Sequence, residues 1–120
     1  MSIQLTKNFR SHEFRCRCGC GQVFMDVRFM VLLQKMRENY GKPINPTSGW
    51  RCIKHNSDVG GAKNSFHMQG QACDMAYNYA DELYRLIEAA LDAGLNGIVL
   101  YKNKKQIHVD NRNVEMMLIK

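Results

Sequence analysis

A chain of 120 residues is one domain of ordinary size, large enough for a single core but not for two. With 45% hydrophobic residues and only two prolines the composition fits a globular fold and argues against disorder. The net charge of +6 clusters only at Lys102, Lys104 and Lys105; it favours anionic polymers in general, but no helix-turn-helix, zinc finger or aromatic-basic platform specifies nucleic acid.

No apolar run approaches the roughly 20 residues of a membrane helix, and residues 1–10 lack the apolar core of a secretory signal. Synthesis in the cytoplasm without membrane insertion is therefore expected, as a monomer. Residues 1–25 form an N-terminal cysteine-containing segment packed on the single domain 1–120. Cys16, Cys18 and Cys20 alternate, so in an extended chain they face one way, unlike the CxxC knuckle that wraps a tetrahedral zinc. They read as small, half-buried thiols, with a second metal site using Cys52 or Cys73 as the alternative. Five cysteines is an odd number, which speaks against a fully oxidised framework and for a reducing compartment.

The pattern turns helical at residues 26–40. Asp26 is the expected N-cap, Phe29, Met30, Leu33, Met36 and Tyr40 recur at three- and four-residue spacing, and Gly41 with Pro43 ends the helix. Residues 44–49 lead into Trp50 and Arg51, then a short helix to Asp58 carrying His55, read as structural. The glycine-rich stretch 59–65 lacks the GxxxxGK[ST] spacing of a phosphate loop and delivers His67. Beyond Asp74 a second helix is expected to start at Asn78 or Asp81, to present Leu83, Leu86, Ile87, Ala90 and Leu91 as its apolar stripe, and to close at Gly94. Residues 97–101 read as a buried strand, 102–105 as a turn, the run around His108 as the next strand, and 114–119 as a last one. This order predicts an α+β fold with a small, mainly antiparallel sheet and flanking helices.

His67, Asp74 and His108 offer two imidazoles and one carboxylate, the set that holds a catalytic zinc while leaving a fourth position open to water. Ser65 and Gly70 bracket His67. The Ser65 hydroxyl is placed to orient His67 or a substrate backbone, and Gly70 lets the chain turn sharply. In an alternating strand His108 and Asp110 share a face, whereas Cys73, between Ala72 and Asp74, faces away from the metal and is disfavoured as a nucleophile.

Ser65, His67, Gly70, Ala72 and Asp74 form a pattern SxHxxGxAxD. With residues 47–52 (TSGWRC), His55-Asn56, residues 59–62 (VGGA) and residues 107–110 (IHVD), it resembles the signature of the zinc D-alanyl-D-alanine peptidase family, including its phage endolysin and murein endopeptidase branches. The resemblance runs from roughly Phe14 to Arg112. It implies the Hedgehog/DD-peptidase fold, Zn2+ on His67, Asp74 and His108, and hydrolysis of an amide in peptidoglycan stem peptides or cross-links. It also implies that Arg51 points into the cleft to hold a substrate carboxylate or a developing oxyanion, for which its planar fork of donors suits it. Many members of the family carry an acidic general base three residues before the last histidine, where this chain has Lys105. Asp110 is the internal candidate for that base or for an orienter of His108. Lys105 also supports the alternative, a non-catalytic wall-binding or phage tail module of the same fold. Either would reach the wall after release or as part of a phage particle.

Overall fold

The structure, a computed structural model, describes residues 2–120. The helix expected at residue 26 forms as α1, Val27–Tyr40: the Asp26 carboxylate accepts from Phe29 N, and Gly41 ends the helix in the left-handed conformation. β1 (Pro46–Ser48) and the short α2 (Ile53–Asp58) follow, then β2 (Ala72–Ala76), α3 (Ala80–Ala93), β3 (Gly97–Tyr101), β4 (Gln106–Asp110) and β5 (Met116–Ile119). The strands make one sheet in the order β1-β2-β4-β3-β5. Its pairs are antiparallel except β3 with β5, so the fold is α+β with a mainly antiparallel sheet, as expected.

Register divides the sheet into two faces. Asp74 on β2 and Val99 on β3 both sit opposite His108 on β4, so the residues beside them point the other way. Cys73, Met75, Ile98, Ile107 and Val109 form that other face, and all are buried against Phe29, Leu33 and Met36 of α1 and Leu86 and Ala90 of α3. Each large apolar side chain removed from water there contributes about 1.5–3 kcal/mol. The helices cover one face of the sheet, and the second face is left to carry a site.

Two expectations for α3 are corrected. Its N-cap is Tyr79, and the Glu82 carboxylate accepts from the backbone N–H groups of both Asn78 (2.9 Å) and Tyr79 (3.2 Å); neither Asn78 nor Asp81 starts the helix. Leu91 is 53% exposed, while Ala89 and Ala93 join the buried stripe. The reason is the close packing of α1 on α3, with Asn39 of α1 donating to the Ala89 carbonyl at 3.2 Å: such an approach accepts methyl groups.

The N-terminal segment is woven into the domain. Gln34, buried on α1, accepts from Thr6 Oγ1 (2.6 Å) and Asn8 N (3.0 Å) and donates to Asn8 Oδ1 (2.8 Å). Trp50 N donates to the Phe14 carbonyl at 2.9 Å. A side chain at Gly49 would collide with the backbone of Phe14, so only glycine allows this approach. The alternating cysteines do not lie on an extended strand. Residues 17–20 form a turn, and Gly19 and Gly21 take φ values of 89° and 76°, which curl the segment on itself.

Candidate metal centre

Three elements bring the predicted ligands together. His67 stands on a 3-10 turn, Phe66–Gln69, whose start is capped by Ser65: its hydroxyl accepts from His67 N at 3.1 Å. Gly70, at φ 70°, closes the turn and sends the chain into β2, which carries Asp74. β4 places His108 directly opposite Asp74. The result is a tight triangle: His67 Nε2 is 3.1 Å from Asp74 Oδ1, His108 Nδ1 is 3.0 Å from the same oxygen, and the two ring nitrogens are 3.2 Å apart.

What faces inward is decided by the partners on the far side of each ring. His67 Nδ1 lies 2.7 Å from the Gly49 carbonyl, an acceptor only, so this nitrogen carries the proton and Nε2 presents a lone pair. His108 Nε2 donates to Asp110 Oδ2 at 2.7 Å, which leaves Nδ1 as the inward lone pair. With both imidazoles neutral, two lone pairs and a carboxylate oxygen converge with no proton among them, an arrangement that calls for a cation at its centre. The donor set fits zinc, with three protein ligands and a position left over.

Electrostatics agree. Burial opposes ionisation of Asp74, but its bonds with His108 and His67 hold the carboxyl well below the usual carboxylate range. For His108 burial opposes protonation, and the carboxylates of Asp110 and Asp74 more than offset it, raising its pKa above the ordinary imidazole value of 6.5. A proton on His108 competes with the metal. Apparent zinc affinity is therefore expected to fall about tenfold per pH unit below that raised pKa, the fall starting above the ordinary imidazole value of 6.5, in a chelator competition followed across pH. A fall that starts only below pH 6.5 would contradict it.

Asp110 is fully buried and stands behind His108. Its Oδ2 accepts from His108 Nε2 and from Arg112 Nη2 (2.7 Å), and its Oδ1 from Arg112 Nε (2.8 Å) and Arg112 N (3.1 Å). Burial works against its ionisation, but these donors hold it well below the usual carboxylate range. With its lone pairs taken and its carboxylate on the side of the ring away from the ligand triangle, the geometry favours the orienting role of the two expected and not the base. For Ser65, likewise, the hydrogen bond supports orientation of His67; the residue is buried, though it also borders the cleft.

Arg51 reaches the edge of the triangle. Its Nη2 is 3.5 Å from Asp74 Oδ2, with Nε 3.4 Å from Ser48 Oγ and Nη1 3.4 Å from Asn56 Oδ1. These are long contacts, leaving the guanidinium donors available to a stronger acceptor. Arg51 borders two stretches of cleft, of about 380 and 370 Å³. Asp74 borders one, His67 and His108 the other, and Arg51, Gly60, Gly61, Tyr101 and Lys120 border both. A methyl group on Gly61 would overlap the Asn56 side chain and crowd Arg51. Gly61→Ala is therefore expected to leave zinc affinity unchanged and to lower kcat/KM on a peptide substrate by up to about tenfold, since Asn56, which accepts from Arg51, must move and the guanidinium must give by a few tenths of an ångström. Unchanged kinetics would remove Arg51 from the site.

Two cleft residues escaped the sequence reading. Tyr101, taken as part of a buried strand, is two residues from Val99 and so lies on the ligand face; strict alternation from His108 across the hairpin was the signal available. His55, read as structural, borders the same cleft as Arg51 and Asp74. Lys105 holds the turn before β4 at φ 52°, its carbonyl accepting from Tyr77 N, and its side chain is exposed.

Two imidazoles and a carboxylate converging at a cleft on an α+β scaffold form a centre suited to a zinc ion with one position open. The chain belongs to the peptidase M15 family, whose sequence profile matches residues 7–110. Over 71 residues it is 41% identical to the zinc D-Ala-D-Ala carboxypeptidase of Streptomyces albus G, a match covering 58% of this chain and 28% of that protein. The chain thus spans little more than a quarter of the length of this curated relative.

Proposed function

We propose that the protein is a zinc-dependent peptidase that hydrolyses an amide bond in peptidoglycan stem peptides or cross-links, as a phage or prophage-derived lytic or remodelling enzyme acting after release or as part of a phage particle. The observation that carries the reading is the convergence of His67 Nε2, Asp74 Oδ1 and His108 Nδ1, each with its lone pair turned inward, beside the guanidinium of Arg51. Family membership and the carboxypeptidase named above support it.

Zinc, when bound, polarises a scissile carbonyl and lowers the pKa of water toward about 7. The chain's own groups do the rest. Arg51 would hold a substrate carboxylate or the oxygen on which charge develops, a role in which such donors are worth about 10²–10³ in kcat. Arg51, Lys104 and Lys120 border the cleft and give it a positive potential suited to the carboxylates of stem peptides. The Gly49 carbonyl and Asp110 keep the two imidazoles in the required tautomers.

A second reading, a wall-binding module without turnover, rests on one observation. Among the described residues bordering the two stretches of cleft, Asp74 bears the one side-chain carboxylate, and Lys105 stands where the family's general base is usual. Digestion of purified peptidoglycan by zinc-loaded protein, with fragments identified by mass beside a chelator-treated control, separates the two. New metal-dependent fragments establish the peptidase and its bond. An unchanged digest, from protein that carries zinc in the histidine centre and sediments with walls, would leave the binding module.

A further inference from the structure

The turn at residues 17–20 gathers thiols that no step of the proposed reaction uses. Cys16 Sγ is 3.4 Å from Cys18 Sγ and 3.7 Å from Cys52 Sγ, and Cys18 Sγ is 3.7 Å from Cys52 Sγ. Cys20 completes the group, with all four sulfurs within 4.8 Å of one another. None of these pairs is near the ~2.05 Å of a disulfide. The spacing is instead that of a metal shell: four sulfurs at about 2.3 Å from one ion, at the corners of a tetrahedron, are about 3.8 Å apart. Backbone donors point the same way. Cys52 N donates to Cys16 Sγ and His55 N to Cys52 Sγ, each at 3.4 Å, and N–H groups aimed at sulfur favour thiolates. Cys73, the fifth cysteine, is buried in the core on the far face of β2 and takes no part.

We propose that Cys16, Cys18, Cys20 and Cys52 form a second zinc site, structural rather than catalytic, that fastens the N-terminal turn to the start of α2. Four thiolates close the shell, leaving no position for water, and soft sulfur ligands in a tetrahedral set select zinc over harder cations. Binding displaces thiol protons to solvent and involves no change of oxidation state. The place explains the purpose. Cys52 directly follows Arg51, whose backbone N–H donates to the His67 carbonyl at 3.3 Å, so a metal here would anchor the backbone from which the arginine reaches Asp74. A separate fastening is useful because residues 17–20 contribute no apolar side chain to the core.

The test is metal content per chain with cobalt spectroscopy. Wild-type protein is expected to carry two zinc ions, His67→Ala one, and the double variant Cys18→Ser with Cys20→Ser one. Exchange of zinc for cobalt(II) in His67→Ala is expected to give the near-ultraviolet sulfur-to-cobalt charge-transfer band of a tetrathiolate site, a readout that needs neither activity nor a folded cysteine variant. A wild-type chain with one ion, none of it left in His67→Ala, would overturn the proposal. So would a disulfide between Cys16 and Cys52 in the mass spectrum, or iron in place of zinc. One ion in both proteins, with the sulfur band present, would uphold this site and instead count against the histidine centre.

Discussion

His67→Ala is expected to reduce cleavage of a stem-peptide substrate by at least about 1,000-fold while the domain stays folded. The metal's stabilisation of the transition state is worth several kcal/mol, and each 1.4 kcal/mol is tenfold in rate. The variant loses that and leaves Asp74 and His108 as an incomplete set. Its structural cost is small by comparison. The lost imidazole leaves the Gly49 carbonyl unpaired, at about 1–3 kcal/mol, against the 5–15 kcal/mol that holds a domain of this kind together. Steady-state kinetics beside a thermal melt followed by circular dichroism would check both halves. A variant that keeps a tenth of the activity would sink the assignment of His67, and one that does not fold would show the site to be needed for the fold.

Asp110→Asn is expected to weaken zinc binding by about 10- to 100-fold, the usual cost of losing the acceptor behind a ligating histidine. The substitution hardly changes shape but reverses hydrogen-bond sense at one atom. Every group around the carboxylate is a donor: His108 Nε2, Arg112 Nε, Nη2 and backbone N. An amide nitrogen turned toward His108 forces the ring into the other tautomer, with its proton aimed into the ligand triangle; turned toward Arg112, it faces a cation. Gly97→Ala would reach the same carboxylate from outside, since a methyl group there overlaps it. Chelator competition gives the affinities, and nitrogen chemical shifts of His108 report the tautomer. Unchanged affinity in Asp110→Asn would make the carboxylate merely a partner for Arg112.

How far the sequence went follows from range. The helix at residue 27 was legible because its signals, Asp26, the apolar spacing and Gly41, act within a few residues of one another. The ligand triangle was legible because a turn glycine and two alternating strands leave little freedom in where His67, Asp74 and His108 point. Alternation also put Asp110 on the face of His108, but it carries no information on which group stands behind the other, so base and orienter looked alike. The cysteine group was offered only as an alternative, with Cys52 and Cys73 undecided, for a longer-range reason. Its fourth member is 36 residues from the first, and the other three meet it where two glycines adopt left-handed backbone, which spacing alone does not reveal. The cap of α3 was misplaced because Glu82 does the capping from inside the helix, reaching back to the N–H groups of Asn78 and Tyr79.

The strand order has a consequence for exchange kinetics. β4 is third of five, hydrogen-bonded on both flanks, whereas β1 and β5 are edges and can fray alone. Deuterium should therefore enter the amides of Ile107, His108 and Val109 only on openings close to global unfolding, and enter the turn 66–69 through small local ones. The two imidazoles would then stand on ground of very different lifetime. Departure of an ion would begin with the short turn swinging His67 away, with His108 and Asp74 still held in register on paired strands for its return.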